Sequence, residues 1–173
     1  MTRFVAMRTG PALKQLGTFS KKPKRKTKAE RARKIFDDAR YFHHDQDALN
    51  FLHQFQLPPD LLAGLGYVLK VEVLGKGAKR YRQLTGLLRM VKTMEIKGTL
   101  SIQIDGRIGE ISTFGSGAWS AVLLTDEADR CLSDPFEALR AYSAGEKVWL
   151  AKNEIQAQQI TDWLRQQKTA AGG

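Results

Sequence analysis

The apolar positions change period partway along the chain. Between about Lys28 and His43, Ile35, Phe36, Ala39 and Phe42 recur at helical spacing and leave Arg31, Arg33, Lys34 and Arg40 mostly outside the stripe. Thr27-Lys28-Ala29-Glu30 has the form of a capping box at the start of this helix, with hydroxyl and carboxylate each satisfying the other's backbone N–H. Asp45 predicts the cap of a second, short helix with Leu49, Leu52 and Phe55 inward. After the break at Leu57-Pro58-Pro59-Asp60, residues 60–74 carry Leu61, Leu62, Leu65, Val68 and Leu69, a helical pattern weakened by Gly64 and Gly66. Val71-Glu72-Val73-Leu74 reads either as the end of that helix or as a short extended piece, and Gly75-Lys76-Gly77 as a turn. From about Ala78 to Lys92, Tyr81, Leu84, Leu87, Leu88 and Val91 cluster within about a third of a helical circumference, which predicts a fourth helix.

After Met94 the period falls to two. Met94, Ile96, Gly98, Leu100, Ile102 and Ile104 alternate with polar residues, as in a half-buried strand. Asp105-Gly106 has the composition of a type I′ hairpin turn, with a return strand from Arg107 to Thr113. Gly115-Ser116-Gly117 predicts the next turn, and Ala118–Leu124 a more buried strand. Asp134-Pro135-Phe136-Glu137 combines a cap, a proline at the first helical position and an acid at the third, and Gly145 ends the helix. Glu146–Lys152 reads as a strand with Val148 and Leu150 on one side and Trp149 on the other. Asn153 caps a last helix to about Lys168, with Ile155, Ile160, Trp163 and Leu164 inward.

The expected class is α+β: N-terminal helices followed by a small antiparallel sheet of three or four strands with two helices. The expected organisation is a disordered basic arm over residues 1–26, a helical basic region over 27–93 and a small α+β region over 94–168, the last two forming one domain or two lobes.

Charge sharpens this organisation. The 173 residues carry a net charge of +10, all of it in residues 1–40. Residues 41–69 contain three acids and no Lys or Arg, residues 70–97 have a net charge of +6, and residues 98–173 a net of −3. A balanced total over the last 133 residues therefore conceals a second basic zone. Two basic zones point to a polyanionic partner. Met1–Gly17 is acid-free like a transit peptide, but Gly10-Pro11 interrupts any helix there and serine is missing. No run of about 18 apolar residues predicts a membrane span, and the expected compartment is the cytoplasm.

Candidate chemistry is sparse. His43-His44 and His53 are the three histidines, with Asp45 and Asp47 nearby, and read as a solvated helix end. The single cysteine, Cys131, excludes an internal disulfide and has no histidine near it in sequence. Asp105 and Glu110, with the acidic loop Asp126, Glu127 and Asp129, offer carboxylates that a metal-dependent nuclease would use, but fit turn and loop positions better. No phosphate-binding glycine motif is present. No cofactor and no metal are expected, and no enzymatic activity.

The basic residues carry the functional expectation. Lys21, Lys22, Lys24, Arg25, Lys26, Lys28, Arg31, Arg33 and Lys34 form the first zone. Lys76, Lys79, Arg80, Arg82, Arg89 and Lys92 belong to the second, where Lys79, Arg82 and Arg89 would share one helix face and Gly86 would let a phosphate backbone approach. Three cations without Asn or Gln beside them suit phosphate contact rather than base reading. Trp119 and Tyr142 are candidate stacking aromatics, each also suited to a core.

Residues Lys76 to Arg89 also resemble the Arg-rich helix of the ribosome-associated YjgA/DarP family, with Arg80, Arg82, Gln83, Leu84, Gly86 and Arg89 in the matching positions. Leu57-Pro58-Pro59-Asp60-Leu61 is similar in order and spacing, so the resemblance spans about residues 57–92. It implies an RNA-contacting factor of the large ribosomal subunit. The expected function is non-enzymatic nucleic-acid binding, RNA or ribosome-associated, with RNA favoured over DNA and no membrane partner. The alternatives are a DNA-binding accessory or regulatory protein of a plasmid or phage, and a metal-dependent nuclease.

Overall fold

A computed structural model describes residues 23–39, 46–54, 56–58, 64–115 and 117–172. The proposed arm up to residue 22, the Asp45 cap, His43-His44 and the restart at Asp60 lie outside the described residues.

Among the described residues, the helices α1 (Lys28–Asp38) and α2 (Gln46–Gln54) come first, and Gly64-Leu65 is again helical. The capping box forms as expected: Thr27 N donates to Glu30 Oε2 at 2.8 Å and Glu30 N to Thr27 Oγ1 at 3.2 Å. Then the chain departs from the expectation. Of the two readings of Val71–Leu74 the extended one holds, in a strand, β1 (Leu69–Leu74), that begins two residues earlier, and β2 (Tyr81–Met90) replaces the fourth helix entirely. After it come β3 (Ile96–Gln103), β4 (Ile111–Phe114), β5 (Ser120–Val122), β6 (Arg130–Leu132), α3 (Pro135–Ser143), β7 (Val148–Ala151) and α4 (Glu154–Gly172). The result is one seven-stranded sheet of order β4-β3-β2-β5-β7-β6, with β1 also on β2. The expected small sheet of three or four strands is thus corrected. So is the helical character of 27–93, because β1 and β2 pair with each other and β2 with β3 and β5 beyond residue 94.

The misreading has a physical cause. β2 is covered on both faces, so it lacks the alternation of a half-buried strand. Leu84, Gly86 and Leu88 face one core, while Gln83 and Thr85 are buried on the other side. With both parities partly apolar, its leucines happen to fall at helical spacing. Gly86 has a different role from the one expected. A Cβ there would lie 2.7 Å from Val122 Cγ1 and 3.0 Å from Leu69 Cδ2, so the missing side chain lets three strands pack, and no phosphate can reach it.

Helices cover both faces of the sheet. On one, α2 and α3 meet Leu69, Val71, Leu84, Leu88, Leu100, Ile102, Val148 and Leu150. Phe51 of α2 is 2% exposed and its ring centroid lies 5.8 Å from that of Phe136, an anchor the sequence pattern did not single out. On the other face, Ala157, Ile160 and Leu164 of α4 pack on Val91, Ala121, Trp149 and Ala151. Ile155, expected inward, is 72% exposed. The predicted separation of Val148 and Leu150 from Trp149 holds, with both sides buried. The Asp134 cap and Pro135 start of α3 also hold, Asp134 Oδ1 accepting from Phe136 N at 2.8 Å and from Glu137 N at 3.2 Å.

The β3–β4 connection is wider than a two-residue turn. Gly106 has φ +63°, but Asp105 stays out of the left-handed region that a type I′ turn demands. Its carboxylate is occupied elsewhere: both oxygens accept from Arg82 N, each at 3.0 Å. Asp105 thereby fastens this connection to the first residues of β2.

Gly86→Ala is expected to lower stability by roughly 1–3 kcal/mol, the usual cost of overpacking a well-filled core. Urea unfolding followed by tryptophan fluorescence would show a lower midpoint; an unchanged midpoint would mean that Val122 and Leu69 give way freely.

Candidate nucleic-acid interface

The second face of the sheet is unusually polar where α1 covers it. Cross-strand pairs Thr85↔Lys70, Gln83↔Glu72, Thr85↔Ser101, Gln83↔Gln103 and Ser101↔Ser112 place these side chains in adjoining rows. Gln83 Nε2 donates to Glu72 Oε2 at 2.8 Å, and the Thr85 hydroxyl donates to the same oxygen at 3.2 Å. Thr85 and Ser101 hydroxyls also contact each other, and since the Thr85 proton is committed to Glu72, Ser101 is the donor. Lys70, 8% exposed, lies with its Nζ 4.4 Å from the centroid of the Phe36 ring. Ala32 and Phe36 are the residues of α1 that are buried against this surface.

The expected basic helix face does not exist, and its members separate. Arg82 and Arg89 sit at opposite parity on β2, both half-buried. Arg89 Nη1 donates to the Met94 carbonyl at 3.1 Å. Lys92 lies in the turn after β2 with its Nζ 3.8 Å from the Trp119 ring centroid, so the face of that ring is occupied by a cation. Tyr142 is half-buried against the first core. These side chains are structural in part or whole.

Lys76, Lys79 and Arg80 are different. They flank the 3₁₀ turn Gly77–Lys79 at the tip of the β1–β2 hairpin, and all three are exposed. Gly75 (φ +79°) makes the tip possible, because a side chain there would collide with the Lys79 carbonyl. Its positive φ favours glycine independently, since a Cβ in that conformation would crowd its own backbone. None of the three cations makes an ion pair with a described residue.

Within the first zone, Lys24, Arg25, Lys26, Lys28 and Arg31 are exposed on the approach to α1 and its first turn. Arg33 and Lys34 pair with Asp37 and Asp38 at 3.7 and 2.7 Å. The hydrogen bond to Asp38, and then its charge, raise the Lys34 pKa above its ordinary value. Lys21 and Lys22 lie outside the described residues. The C-terminal end of α1 adjoins the hairpin tip: Ile35 and Asp38 of α1 and its C-cap Ala39 line a cavity of about 600 Å³ together with Glu72, Lys76 and Arg80.

A second cavity, of about 450 Å³, opens at the end of the polar rows that α1 leaves uncovered. It is lined by Tyr81, Gln83, Gln103, Arg107, Glu110 and Ser112, with Gly106 at its edge. Tyr81, directly after the basic turn, is 39% exposed. Sequence reasoning missed Tyr81, Gln83 and Gln103 as site residues, because the helix placed Tyr81 in a core. Because β2 is buried on both faces between Gln83 and Gly86, no alternation in 81–90 marks them, and only the pairing of β2 with β3 brings Gln103 beside Gln83.

Four of the five carboxylates considered for a nuclease have partners. Asp105 holds Arg82 N, Glu110 lies 3.8 Å from Arg107, and Glu127 lies 3.5 Å from Lys147. Asp129 pairs with Lys168 of α4, and the hydrogen bond, then the positive charge, lower its pKa. Its contribution to stability is therefore present above the ordinary carboxylate range and is lost as pH falls through the depressed value. Among the described residues, no three His, Cys, Asp or Glu are grouped to hold a metal ion. Also among the described residues, no helix is long and apolar enough to cross a membrane.

Cys131 is 5% exposed in β6, beneath α4, with its backbone N donating to Thr161 Oγ1 at 2.9 Å. Burial pushes its thiol up to about 12. Residues 76–89, which carry the resemblance to the YjgA/DarP family, form a turn and a strand where the resemblance implies a helix. Comparison with protein-family models, curated proteins and solved structures finds no match to the chain.

Two outcomes follow from these contacts. The native thiol should resist Ellman's reagent near pH 8, where it is almost wholly protonated, and react fully on unfolding; rapid native labelling would place Cys131 at the surface. Asp105→Ala should cost about 1–3 kcal/mol, since it strands a partly buried N–H, and thermal unfolding would register the loss.

Proposed function

We propose that this protein binds nucleic acid without catalysing a reaction on it, with RNA preferred over DNA. One observation carries the reading: Lys76, Lys79 and Arg80 stand exposed on a glycine-built turn, without an acidic partner among the described residues, beside the helix that follows the other basic zone. Structural cations tend to be paired or packed, as Arg89, Lys92 and Lys70 are here. Exposed cations held close together match the spacing of a phosphate backbone and gain affinity by releasing its counterions.

The preference for RNA follows from what the chain no longer offers. The basic helix that could have entered a DNA major groove is a central strand of the sheet. What remains is a cationic turn beside an open polar sheet surface, an arrangement suited to an unpaired strand. Ribosome association, the narrower form of this reading, rests on the resemblance of residues 57–92 alone.

Lys76, Lys79 and Arg80 changed together to Gln should leave stability within about 0.5 kcal/mol per exposed site. Affinity for a single-stranded RNA probe should fall, and the slope of log K against log salt should flatten by about one unit per lost phosphate contact. Fluorescence anisotropy across a salt series measures both. Equal affinity and slope in the triple variant would make the turn merely solvated.

A further inference from the structure

We infer that the cavity beside the basic turn holds a single unpaired nucleobase, so that the protein takes single-stranded rather than duplex nucleic acid. This inference rests on the nucleic-acid reading above and specifies its ligand.

The cavity has an aromatic wall, a polar floor and a charged lip. Tyr81 supplies the wall, a ring exposed enough to stack a planar ligand. Gln83 and Gln103, opposite each other on β2 and β3, supply the floor, with Ser112 of β4 beside them. Arg107 and Glu110 form the lip.

The hydrogen bonding distinguishes this place from the rest of the sheet. The Glu72, Gln83, Thr85 and Ser101 side chains satisfy one another, which locks the Gln83 amide with its nitrogen toward Glu72. Its oxygen is then the acceptor it can offer. The Gln103 amide is half-buried and lines the cavity, yet its side chain makes no hydrogen bond with a described residue. An amide carries donor and acceptor side by side, the pair that matches a base edge presenting one of each. A base inside a duplex has its Watson–Crick edge paired and both faces stacked, so only an unpaired base can lay a face on Tyr81 and turn that edge to the floor. The volume, about 450 Å³, accommodates one such ring with solvent around it. Lys79 and Arg80 immediately precede Tyr81, so a strand whose base stacks on Tyr81 has its phosphates within reach of the cationic turn.

The test uses the full chain and three variants, Tyr81→Ala, Tyr81→Phe and Gln103→Leu. The probes are an unstructured homopolymeric oligonucleotide in ribo and deoxy form, and a blunt duplex of the same length. Tyr81→Ala should weaken single-strand binding about tenfold, the loss typical of one stacked base. Its salt slope should match that of the parent, because no phosphate contact is lost. Tyr81→Phe should retain the affinity, and Gln103→Leu should lower it several-fold. Binding to the duplex should be weaker from the outset and unaffected by any of the three. Because Tyr81 is partly exposed, Tyr81→Ala keeps the test valid even if Gln103→Leu fails to fold, with thermal unfolding as the control. Unchanged single-strand affinity in Tyr81→Ala, with a loss in the Lys76, Lys79 and Arg80 variant, would overturn the base pocket and leave the phosphate reading standing. Equal losses on single strand and duplex would overturn it too. A parent protein that binds neither probe at low salt would overturn both readings.

Discussion

Everything in this fold depends on β2 having a neighbour at every contact. One edge of the strand pairs with β3 from Gln83 to Arg89, and the other is divided between β1, opposite Tyr81 to Gly86, and β5, opposite Arg89 and Met90. The β2–β3 ladder shifts register between Leu88 and Arg89, where β5 takes over the other edge of the strand. The tightest point is Gly86, where Val122 and Leu69 occupy the space that a side chain would need. The same strand therefore joins residues before and after the turn at 91–95 into one sheet, and it fixes the side on which each helix must lie.

That side is unequal in chemistry. α2 and α3 cover an apolar face, and α4 covers the β5–β7–β6 end of the other. The β1–β4 end of this second face falls to α1, an 11-residue helix with two buried side chains. Such a helix cannot exclude water from four strands. The sheet beneath it carries hydroxyls, amides, Lys70 and Glu72, which satisfy one another instead of forming a hydrophobic layer. Polar groups held this way lose little to solvent at the open end. The open end is the cavity at Tyr81 and Gln103, and the hairpin tip that adjoins it carries the cations that have no ion-pair partner among the described residues. The candidate site thus sits where the helix runs out.

Structure also changes what charge means in this chain. Arg82, Arg89 and Lys92 looked equivalent to Lys76, Lys79 and Arg80 as members of one basic zone. Arg89 ties down the turn after β2, and Lys92 covers the Trp119 ring. Net charge predicted a polyanionic partner, but pairing and burial sort the cations available for it from those already employed. The acidic loop is sorted likewise, since Asp129 and Glu127 bind the lysines Lys168 and Lys147.

Signals complete within a few residues were determined by the sequence itself. The Thr27–Glu30 capping box, the Asp134-Pro135 helix start, the Asn153 cap and the opposed faces of Val148-Trp149-Leu150 all formed as their local chemistry requires. A cap is a hydrogen bond across three residues and needs no partner from elsewhere. The β1–β2 hairpin was decided only by tertiary structure. Leu84, Leu87, Leu88 and Val91 fit a helical stripe as well as a doubly covered strand, and pairing with β3 and β5 settled the choice. The three-residue strand β6 is too short to carry a period and exists because β7 offers it a ladder, whereas β5 forms inside the Ala118–Leu124 stretch expected as a strand. The candidate site was legible as a concentration of charge at 76–80, but not as a cavity. Tyr81, Gln83, Gln103 and Ser112 are brought together by strand pairing across 31 residues of chain, and nothing local in any of them announces the others.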